Sequence, residues 1–232
     1  MKESIMFFPS IAPPEVLTYD HGERSLLIRR AQVDDVTELV ESVKVSLPEL
    51  HAFMPWSHFP ENVTISAQTE RLIDLVKKWD DHADYVFHIY LPSSDGEHQF
   101  AGCIGLHPRC LHNRGLEIGY WIQSDLAGRG VCTLATQMLV LATFQTMDLL
   151  RVQIGCDANN LASKRVIEKV GFVYEGLLRN HSHGAAPAHI IDQGWRGTGN
   201  IVNYGLIPED LESLGWVNTI SKHLTFTSIN QA

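Results

Sequence analysis

The chain has 232 residues, of which 44% are hydrophobic and 19% are charged. This composition is ordinary for a globular protein with a packed core, and it excludes an intrinsically disordered chain. The formal net charge of −9 at pH 7 argues against a protein that coats nucleic acid, because such a protein needs a basic surface. A negative surface instead favours cationic partners such as amines.

The cysteines, apolar runs and histidines exclude further classes. The four cysteines are widely spaced and form no Cys-x-x-Cys pair, and no secretory leader is visible, so we expect a cytoplasmic protein. No apolar run approaches the ~20 residues of a membrane span, so we expect no membrane contact. The densest histidine group, His181, His183 and His189 with Asp192, lacks metal-ligand spacing and is interpreted as a loop, so no metal is expected.

In chain order, hydrophobic periodicity and turn residues predict one mixed α/β domain. The predicted strands are 25–30, 85–91, 99–107, 116–122, 151–156, 172–178 and 201–207. The predicted helices are 34–46, which Leu47-Pro48 is expected to end, then 67–79, 131–147 and a short helix ending at Gly171, with an aromatic bend at 50–59. We place the domain at 25–208, an N-terminal arm at 1–24, and a tail at 209–232 that packs on the domain or on a partner subunit.

The most informative stretch is 115–176, where a strand, a glycine turn, a long helix and a second strand follow one another. This order predicts that strands 116–122 and 151–156 are parallel neighbours. The turn Gly128-Arg129-Gly130 opens the helix, and amides at a helix N-terminus form an anion site. An ordinary strand-to-helix turn is the alternative. A dinucleotide-binding fold is a poorer match, because Gly-x-Gly-x-x-Gly lacks its third glycine.

Two further positions carry chemistry. On strand 116–122, alternation places Glu117, Gly119 and Trp121 on one face, and a carboxylate on a central strand is a candidate proton acceptor. The alternative for Glu117 is a solvated residue paired with a basic neighbour. Asn160 and Ser163 have the spacing of a helix N-cap and its third residue, an arrangement that needs no ligand.

With these residues the chain resembles the GNAT acyl-CoA N-acyltransferases, and within them the RimJ/RimL-type branch of protein N-terminal acetyltransferases. The resemblance covers about residues 25–208 and rests on the order and spacing of several motifs. These motifs are Met54-Pro55-Trp56, Glu117-Ile118-Gly119-Tyr120-Trp121-Ile122, Gly128-Arg129-Gly130, Asn160-Leu161-Ala162-Ser163, Glu168-Lys169-Val170-Gly171-Phe172, Glu175-Gly176 and Tyr204-Gly205-Leu206-Ile207.

The resemblance implies the α/β (α+β) GNAT fold, in which a central mixed, mostly antiparallel sheet has one parallel pair splayed around acyl-CoA and helices on both faces. It implies an N-acetyltransferase that moves the acetyl group of acetyl-CoA directly to a primary amine, foremost a protein or peptide N-terminal amine, and it is compatible with a homodimer. One alternative is a small-molecule amine acetyltransferase of the same fold, acting on an antibiotic, a polyamine or an aminoacyl compound. The other is a non-catalytic acyl-CoA-binding module.

The resemblance also implies roles for individual residues. It makes Glu117 the base and Ser163 the acid for the leaving thiolate. The implied cofactor-binding residues are Trp121, Ile122, Gly128, Arg129, Gly130, Val131, Cys132, Thr133, Asn160 and Ser163. The implied acceptor site comprises Trp56, His58, Tyr174 and Glu175.

Three positions depart from the family pattern. Ala127 and Cys132 stand at the first and last positions of the phosphate turn, and the loss of the first side chain should weaken binding modestly because backbone N–H groups form the cradle. Ile167 stands where many members have a tyrosine acid, so Ser163 is the expected replacement. Cys132 and Cys156 have no basic partner nearby in the sequence, so direct transfer is expected rather than an acyl-cysteine.

Overall fold

A computed structural model describes residues 12–22, 24–93, 96–110, 114–181 and 194–227. Its strands are β1 Val16–His21, β2 Arg24–Arg30, β3 Tyr85–Pro92, β4 His98–Cys110, β5 Gly115–Ile122, β6 Arg151–Asp157, β7 Val173–Leu178, β8 Ile201–Leu206 and β9 Leu224–Thr227. Its α-helices are α1 Val36–Phe53, α2 Ile65–Asp80, α3 Val131–Thr146, α4 Leu161–Val170 and α5 Val217–His223. His183, His189 and Asp192 lie outside the described residues.

The nine described strands form one sheet in the order β7-β8-β6-β5-β4-β3-β2-β1-β9. All neighbouring strands in this sheet are antiparallel except β5 and β6, which are parallel. The predicted mixed, mostly antiparallel sheet with one parallel pair is therefore confirmed.

Two hydrophobic cores, one on each face of the sheet, hold the helices. One core joins α3 and α4 to the central strands, and its fully or nearly fully buried members include Leu116, Ile118, Ala135, Met138, Leu139 and Ile167. The other core packs α1 and α2 on the opposite face, and it contains Leu39, Val43, Leu72, Phe100 and Trp121. Burial of each large aliphatic side chain contributes about 1.5–3 kcal/mol, so both helix layers are fixed firmly on the sheet.

Local sequence signals fix the ends of the helices near the site. The Asn160 side chain accepts a hydrogen bond of 3.0 Å from the Ser163 amide at the start of α4, as an N-cap does. The helix ends at Gly171, whose φ of +101° suits glycine. The prediction that Leu47-Pro48 ends the first helix is wrong, because α1 continues through Pro48 to Phe53. Leu50, only 5% exposed in the core, stabilises this last part of the helix.

The sheet extends beyond the predicted domain boundaries at residues 25 and 208. Strand β1, inside the predicted N-terminal arm, pairs with β2 along six residues. Strand β9, inside the predicted tail, pairs with β1, and Ile220 of α5 is 4% exposed in the α3-side core. The described parts of both segments therefore belong to the same sheet and core. Among the described helices, none combines the length and hydropathy needed to cross a membrane.

The parallel pair opens shortly after it forms. Strands β5 and β6 pair only from Gly115 and Arg151 to Glu117 and Gln153, although β5 continues to Ile122 and β6 to Asp157. Beyond Glu117 the two strands no longer pair, and no other described strand pairs with the edge of either one that faces the opening. We call this opening the wedge, and it is the feature that positions the candidate site.

Candidate active site

A glycine turn lies between the end of β5 and the start of α3. Gly128 has a φ of +78°, and Gly130, the N-cap of α3, has a φ of +83°. Both values lie in the left-handed region, where a side chain would be strained. An added Cβ at Gly128 would meet no heavy atom within 4 Å, so the turn is open on its outer side. The first amides of α3 have no intrahelical partner, and they make this turn suitable for phosphate.

Two basic side chains outside the predicted cofactor-binding set flank this turn. Arg24 of β2 places its Nη2 atom 3.4 Å from where a Cβ on Gly130 would stand. A cavity of about 350 Å³ runs along the start of α3 and is lined by Arg24, Gly130, Thr133 and Lys169, among others. Arg129 is exposed. The turn therefore combines backbone N–H groups with positive charge, as a phosphate ligand requires.

The Glu117 face of β5 is the side covered by α1 and α2, because Trp121, on the same face, belongs to the core of those helices. Glu117 is half-buried and its Oε2 accepts a hydrogen bond of 3.1 Å from Gln153 Nε2 of β6. Gln153 is opposite Glu117 in the last pair before the strands diverge. The structure therefore holds the Glu117 carboxylate at the apex of the wedge.

His107 of β4 is the direct cross-strand neighbour of Glu117 on the other side. Its Nδ1 lies 2.7 Å from Oδ1 of Asp84, which precedes β3. Asp84, His107, Glu117 and Gln153 thus form a polar row across four adjacent elements of one sheet face. Sequence reasoning did not find Asp84, His107 or Gln153, because the row exists only through strand register.

Of the predicted acceptor residues, Trp56 lies beside Trp121, on the same face of β5 as Glu117. Its ring centroid is 6.4 Å from that of Trp121, which brings the aromatic bend over the Glu117 face. His58 is only 7% exposed; its Nε2 lies 2.8 Å from the His51 carbonyl oxygen and its ring stacks on the His51 ring. This geometry gives His58 a packing role in the bend.

Tyr174 and Glu175 lie on the other side of the wedge, on the sheet-edge strand β7. Tyr174 is 56% exposed and contacts the Tyr204 ring edge-on. Glu175 forms a bidentate pair with Arg151, with distances of 2.7 and 3.1 Å. The described residues therefore place Trp56 beside the Glu117 face and Glu175 in an ion pair on β7.

A segment from 194 to 200 connects the bend to the end of β6. The Arg196 amide donates to the Ala52 carbonyl at 2.9 Å, and the Trp195 ring lies edge-on to His58. At its other end the Asp157 carboxylate accepts hydrogen bonds from the Thr198 and Gly199 amides.

The opposite face of β5 carries Tyr120, whose hydroxyl lies 3.0 Å from Ser163 Oγ of α4. Burial raises the pKa of Tyr120 well above its usual range, so the phenol keeps its proton at neutral pH. Ile167, at the position where the family often has a tyrosine, is fully buried in the core. Sequence reasoning found Ser163 but missed Tyr120, a phenol within hydrogen-bond distance of it.

The cysteines near the wedge are not activated. Burial raises the pKa of the Cys132 thiol to about 12, and burial also raises the pKa of Cys156. Because the thiolate is the nucleophile of cysteine chemistry, neither residue has the character of a covalent catalyst. Among the described residues, no group of His, Cys, Asp and Glu side chains could hold a metal ion.

Two curated relatives align with parts of the chain. The Bacillus subtilis protein YdaF, described as a putative ribosomal N-acetyltransferase, is 39% identical over 79 residues, which are 34% of this chain and 43% of that protein. The probable N-acetyltransferase YjcK of the same organism is 29% identical over 121 residues, 51% of this chain and 64% of that protein. The chain spans about half the length of the curated relatives it matches.

The fold is also that of a solved structure, Mycobacterium smegmatis RimJ in complex with CoA-disulfide. The TM-score is 0.76 with 19% sequence identity, over 93% of this chain and 100% of that chain. The family model described as an acetyltransferase (GNAT) domain matches residues 25–173, which confirms the resemblance indicated by the sequence motifs. The chain therefore belongs to the GNAT acetyltransferase domain family.

Proposed function

We propose that this protein is an N-acetyltransferase that moves the acetyl group of acetyl-CoA directly to a primary amine. The observation that carries the proposal is the wedge between β5 and β6, which opens at Glu117 and lies next to the glycine turn of α3. A long, phosphate-bearing thioester fits this arrangement. Its phosphates can bind the amides of the turn, and its extended arm can lie along the two strand edges, where it can hydrogen-bond to backbone N–H and C=O groups.

In this proposal the turn from Gly128 to Thr133 holds the pyrophosphate through backbone N–H groups, with Arg24 and Lys169 adding positive charge beside it. The thioester arm lies along the backbone edge of β5 at Trp121 and Ile122. Asn160, at the start of α4, lies on the opposite side of the arm. Backbone recognition also accounts for Ala127 and Cys132 at the ends of the turn, since no side chain at those positions has to contact the phosphates.

The two faces of β5 divide the chemistry. Glu117 faces the acceptor side, where its carboxylate receives the ammonium group of the amine. Ser163 and Tyr120 lie on the other face, where hydroxyl groups 3.0 Å apart donate to the departing sulfur. Holding the amine and the thioester on the two sides of one opening converts a bimolecular reaction into an effectively unimolecular one.

The acceptor class that we propose is a protein or peptide N-terminal amine. The support is the relative YdaF, which is described as a putative ribosomal N-acetyltransferase, and the net charge of −9, which attracts cationic acceptors. We place this activity in the cytoplasm, where its thiols Cys103, Cys132 and Cys156, free in the structure, stay reduced. Assembly into a homodimer stays a prediction.

The test follows thiol release from acetyl-CoA with a panel of acceptors: peptides that start with Ser or Ala, polyamines, amino acids and aminoacyl nucleotides. Mass spectrometry of the peptide product locates the acetyl group. We expect release with peptides and a product acetylated at the α-amine. Release only with small amines would instead support the small-molecule alternative, and tight acetyl-CoA binding without any release would identify a binding module.

A further inference from the structure

We propose that His107, held by Asp84, is the catalytic base that takes the proton from the acceptor ammonium group. The inference rests on the proposed function. It reassigns to an imidazole the step that sequence reasoning gives to Glu117, and it leaves Glu117 the role of binding the ammonium group beside the imidazole.

The first observation is where the His107 ring lies. An added Cβ at Gly119 would stand 3.2 Å from His107 Nε2, and one at Gly105 would stand 2.9 Å from Nε2 and Cε1. These two glycines are cross-strand partners on β4 and β5. The edge of the imidazole that carries Nε2 therefore lies over this glycine pair, next to Gly119, which stands between Glu117 and Trp121 on one face of β5. Larger residues at either position would force the ring away from the sheet.

The second observation is the tautomer that Asp84 imposes. An ionised carboxylate only accepts hydrogen bonds, so the contact of 2.7 Å between Asp84 Oδ1 and His107 Nδ1 places the proton on Nδ1. The neutral ring then carries its lone pair on Nε2, on the side of the acceptor. When Nε2 takes a proton, the same carboxylate stabilises the imidazolium, as the carboxylate of a catalytic triad does.

The third observation is accessibility. The side chains of His107 and Asp84 are 24% and 22% exposed, so the pair is neither sealed in the core nor freely solvated. Two described carboxylates lie next to the ring, Asp84 at Nδ1 and Glu117 at the paired position of the neighbouring strand. A cationic acceptor that binds beside Glu117 is therefore held close to the imidazole.

The chemistry of the acceptor also favours an imidazole. Free imidazole titrates near pH 6.5 and free glutamate near 4.3, whereas an N-terminal ammonium titrates near 7.7–8.0. A base is most efficient when its pKa is close to the operating pH. Histidine is for this reason the side chain that most often acts as a general base.

The transfer conserves protons and electron pairs. The ammonium nitrogen loses one proton to His107 Nε2, and the resulting amine forms a C–N bond with the acetyl carbonyl carbon. The C–S bond breaks, and the electron pair leaves with sulfur. The second proton lost by the nitrogen ends on this sulfur as the thiol, and the imidazolium returns its proton to water. One amide, one thiol and one released proton result.

The experiment compares His107→Gln, Asp84→Asn and Glu117→Gln with the wild type, and uses His98→Gln as the matched control, because His98 is an exposed residue of the same strand. Two acceptors are used: a peptide with an α-amine, and a hydrazide that is mostly unprotonated at pH 7. The measurements are kcat/KM from pH 6 to 9.5, acetyl-CoA affinity and thermal unfolding.

We expect His107→Gln to lower kcat/KM for the peptide at pH 7 by about 100-fold, with the deficit shrinking above pH 8.5 as the amine loses its own proton. With the hydrazide the loss should be a few-fold at most. Asp84→Asn should show the same pattern to a smaller extent. Glu117→Gln should raise the KM for the peptide without this dependence on acceptor protonation.

Two outcomes would overturn the inference. One is a His107→Gln enzyme with unchanged acetyl-CoA affinity whose kcat/KM equals that of the wild type. The other is an equal loss with both acceptors at every pH, because that result assigns His107 a merely structural role. These outcomes differ from failure of the proposed function, in which the wild type itself releases no thiol with any acceptor.

Discussion

Two carboxylate–histidine pairs lie on the same face of the sheet, and they differ in burial far more than in geometry. Asp35 Oδ2 is 2.6 Å from His88 Nδ1, and Asp84 Oδ1 is 2.7 Å from His107 Nδ1. The side chains of the first pair are 5% and 1% exposed, whereas those of the second are 22% and 24% exposed. The same chemical pair is thus built once in the core and once at the edge of the wedge.

The buried pair is tied into a larger network. Arg29 donates to both carboxylate oxygens of Asp35, at 2.5 and 3.0 Å, and to the Tyr90 hydroxyl. The Gln32 amide also donates to Asp35, at 2.9 Å. Burial lowers the pKa of His88, so the ring is neutral in the folded protein. This network holds the start of α1 on β2 and β3, and the near-complete burial of His88 and Asp35 keeps both side chains away from a substrate.

The pair at the wedge has fewer constraints. Asp84 anchors one nitrogen of His107, and the other nitrogen faces a glycine pair. The comparison teaches that a carboxylate–histidine hydrogen bond does not by itself indicate function. What distinguishes the two pairs is whether a second ring nitrogen can reach a ligand, and predictions that separate stability from activity test that distinction.

The largest effect is expected from Asp35→Asn, which should lower the free energy of unfolding by about 3–5 kcal/mol. The reason is that removing one partner of a buried ion pair leaves the Arg29 guanidinium without its counter-charge. Urea unfolding at pH 7 measures the loss. Asp34→Asn is the matched control, because Asp34 is the exposed neighbour. Equal stability of the two variants would show that the network contributes little.

The next effect is a loss of stability in mild acid that depends on His88. The pKa of His88 in the folded protein is lowered, mainly by burial. As the pH falls below about 6.5, His88 therefore becomes protonated in the unfolded chain while it stays neutral in the folded protein. Stability should fall by up to about 1.4 kcal/mol per pH unit in this range. Unfolding free energies at pH 7, 6 and 5 should show it, and His88→Gln should flatten the curve. His107→Gln, the comparison variant, should still show the loss of stability in mild acid.

The carboxyl of Asp35 causes a second loss of stability, at lower pH. Arg29, His88 and the Gln32 amide hold the pKa of that carboxyl well below its usual range even though burial acts in the opposite direction. Its contribution to the free energy of unfolding is therefore complete above the pKa of aspartate in the unfolded chain, about 3.9, and is lost as the pH falls below that value. An acid unfolding curve that keeps its midpoint in Asp35→Asn would contradict this assignment.

The sequence predicts best what depends on neighbouring residues. The glycine turn, the helix after it and the face of Glu117 follow from motifs and alternation within a few residues, and the Asn160 N-cap follows from a spacing of three. The parallel pair of strands also follows, because strand–helix–strand order requires a crossover. These elements are where the predictions and the structure agree.

The sequence predicts poorly what depends on register between distant segments. Asp84 and His107 are 23 positions apart, and Glu117 and Gln153 are 36 apart. No local sequence pattern indicates these partners, because they depend on strand register. A shift of one residue in strand pairing would move each side chain to the other face of the sheet. The helix that continues past Pro48 was missed for a similar reason, since tertiary packing of Leu50 outweighs the local preference of proline.

A smaller effect, on activity, is expected from Gly119→Ala. The added methyl would stand 3.2 Å from His107 Nε2, so the ring has to tilt away from the acceptor. We expect kcat/KM for a peptide acceptor at pH 7 to fall about tenfold, equivalent to about 1.4 kcal/mol in the barrier, with little loss of stability. The control is Gly215→Ala, where an added Cβ meets no heavy atom within 4 Å. Full activity of Gly119→Ala would argue against a role for the ring position.

The smallest effect is the one that separates the two pairs most directly. Asp84→Asn should change the free energy of unfolding by less than about 1 kcal/mol, because a partly exposed pair gains little from its charge and asparagine retains an acceptor for the Tyr85 amide, which Asp84 Oδ1 contacts at 3.0 Å. Urea unfolding beside Asp35→Asn measures the contrast. A loss of several kcal/mol at both positions would mean that the wedge pair, like the buried one, serves to hold strands together, and the reason for assigning the proton transfer to His107 would lose its main support.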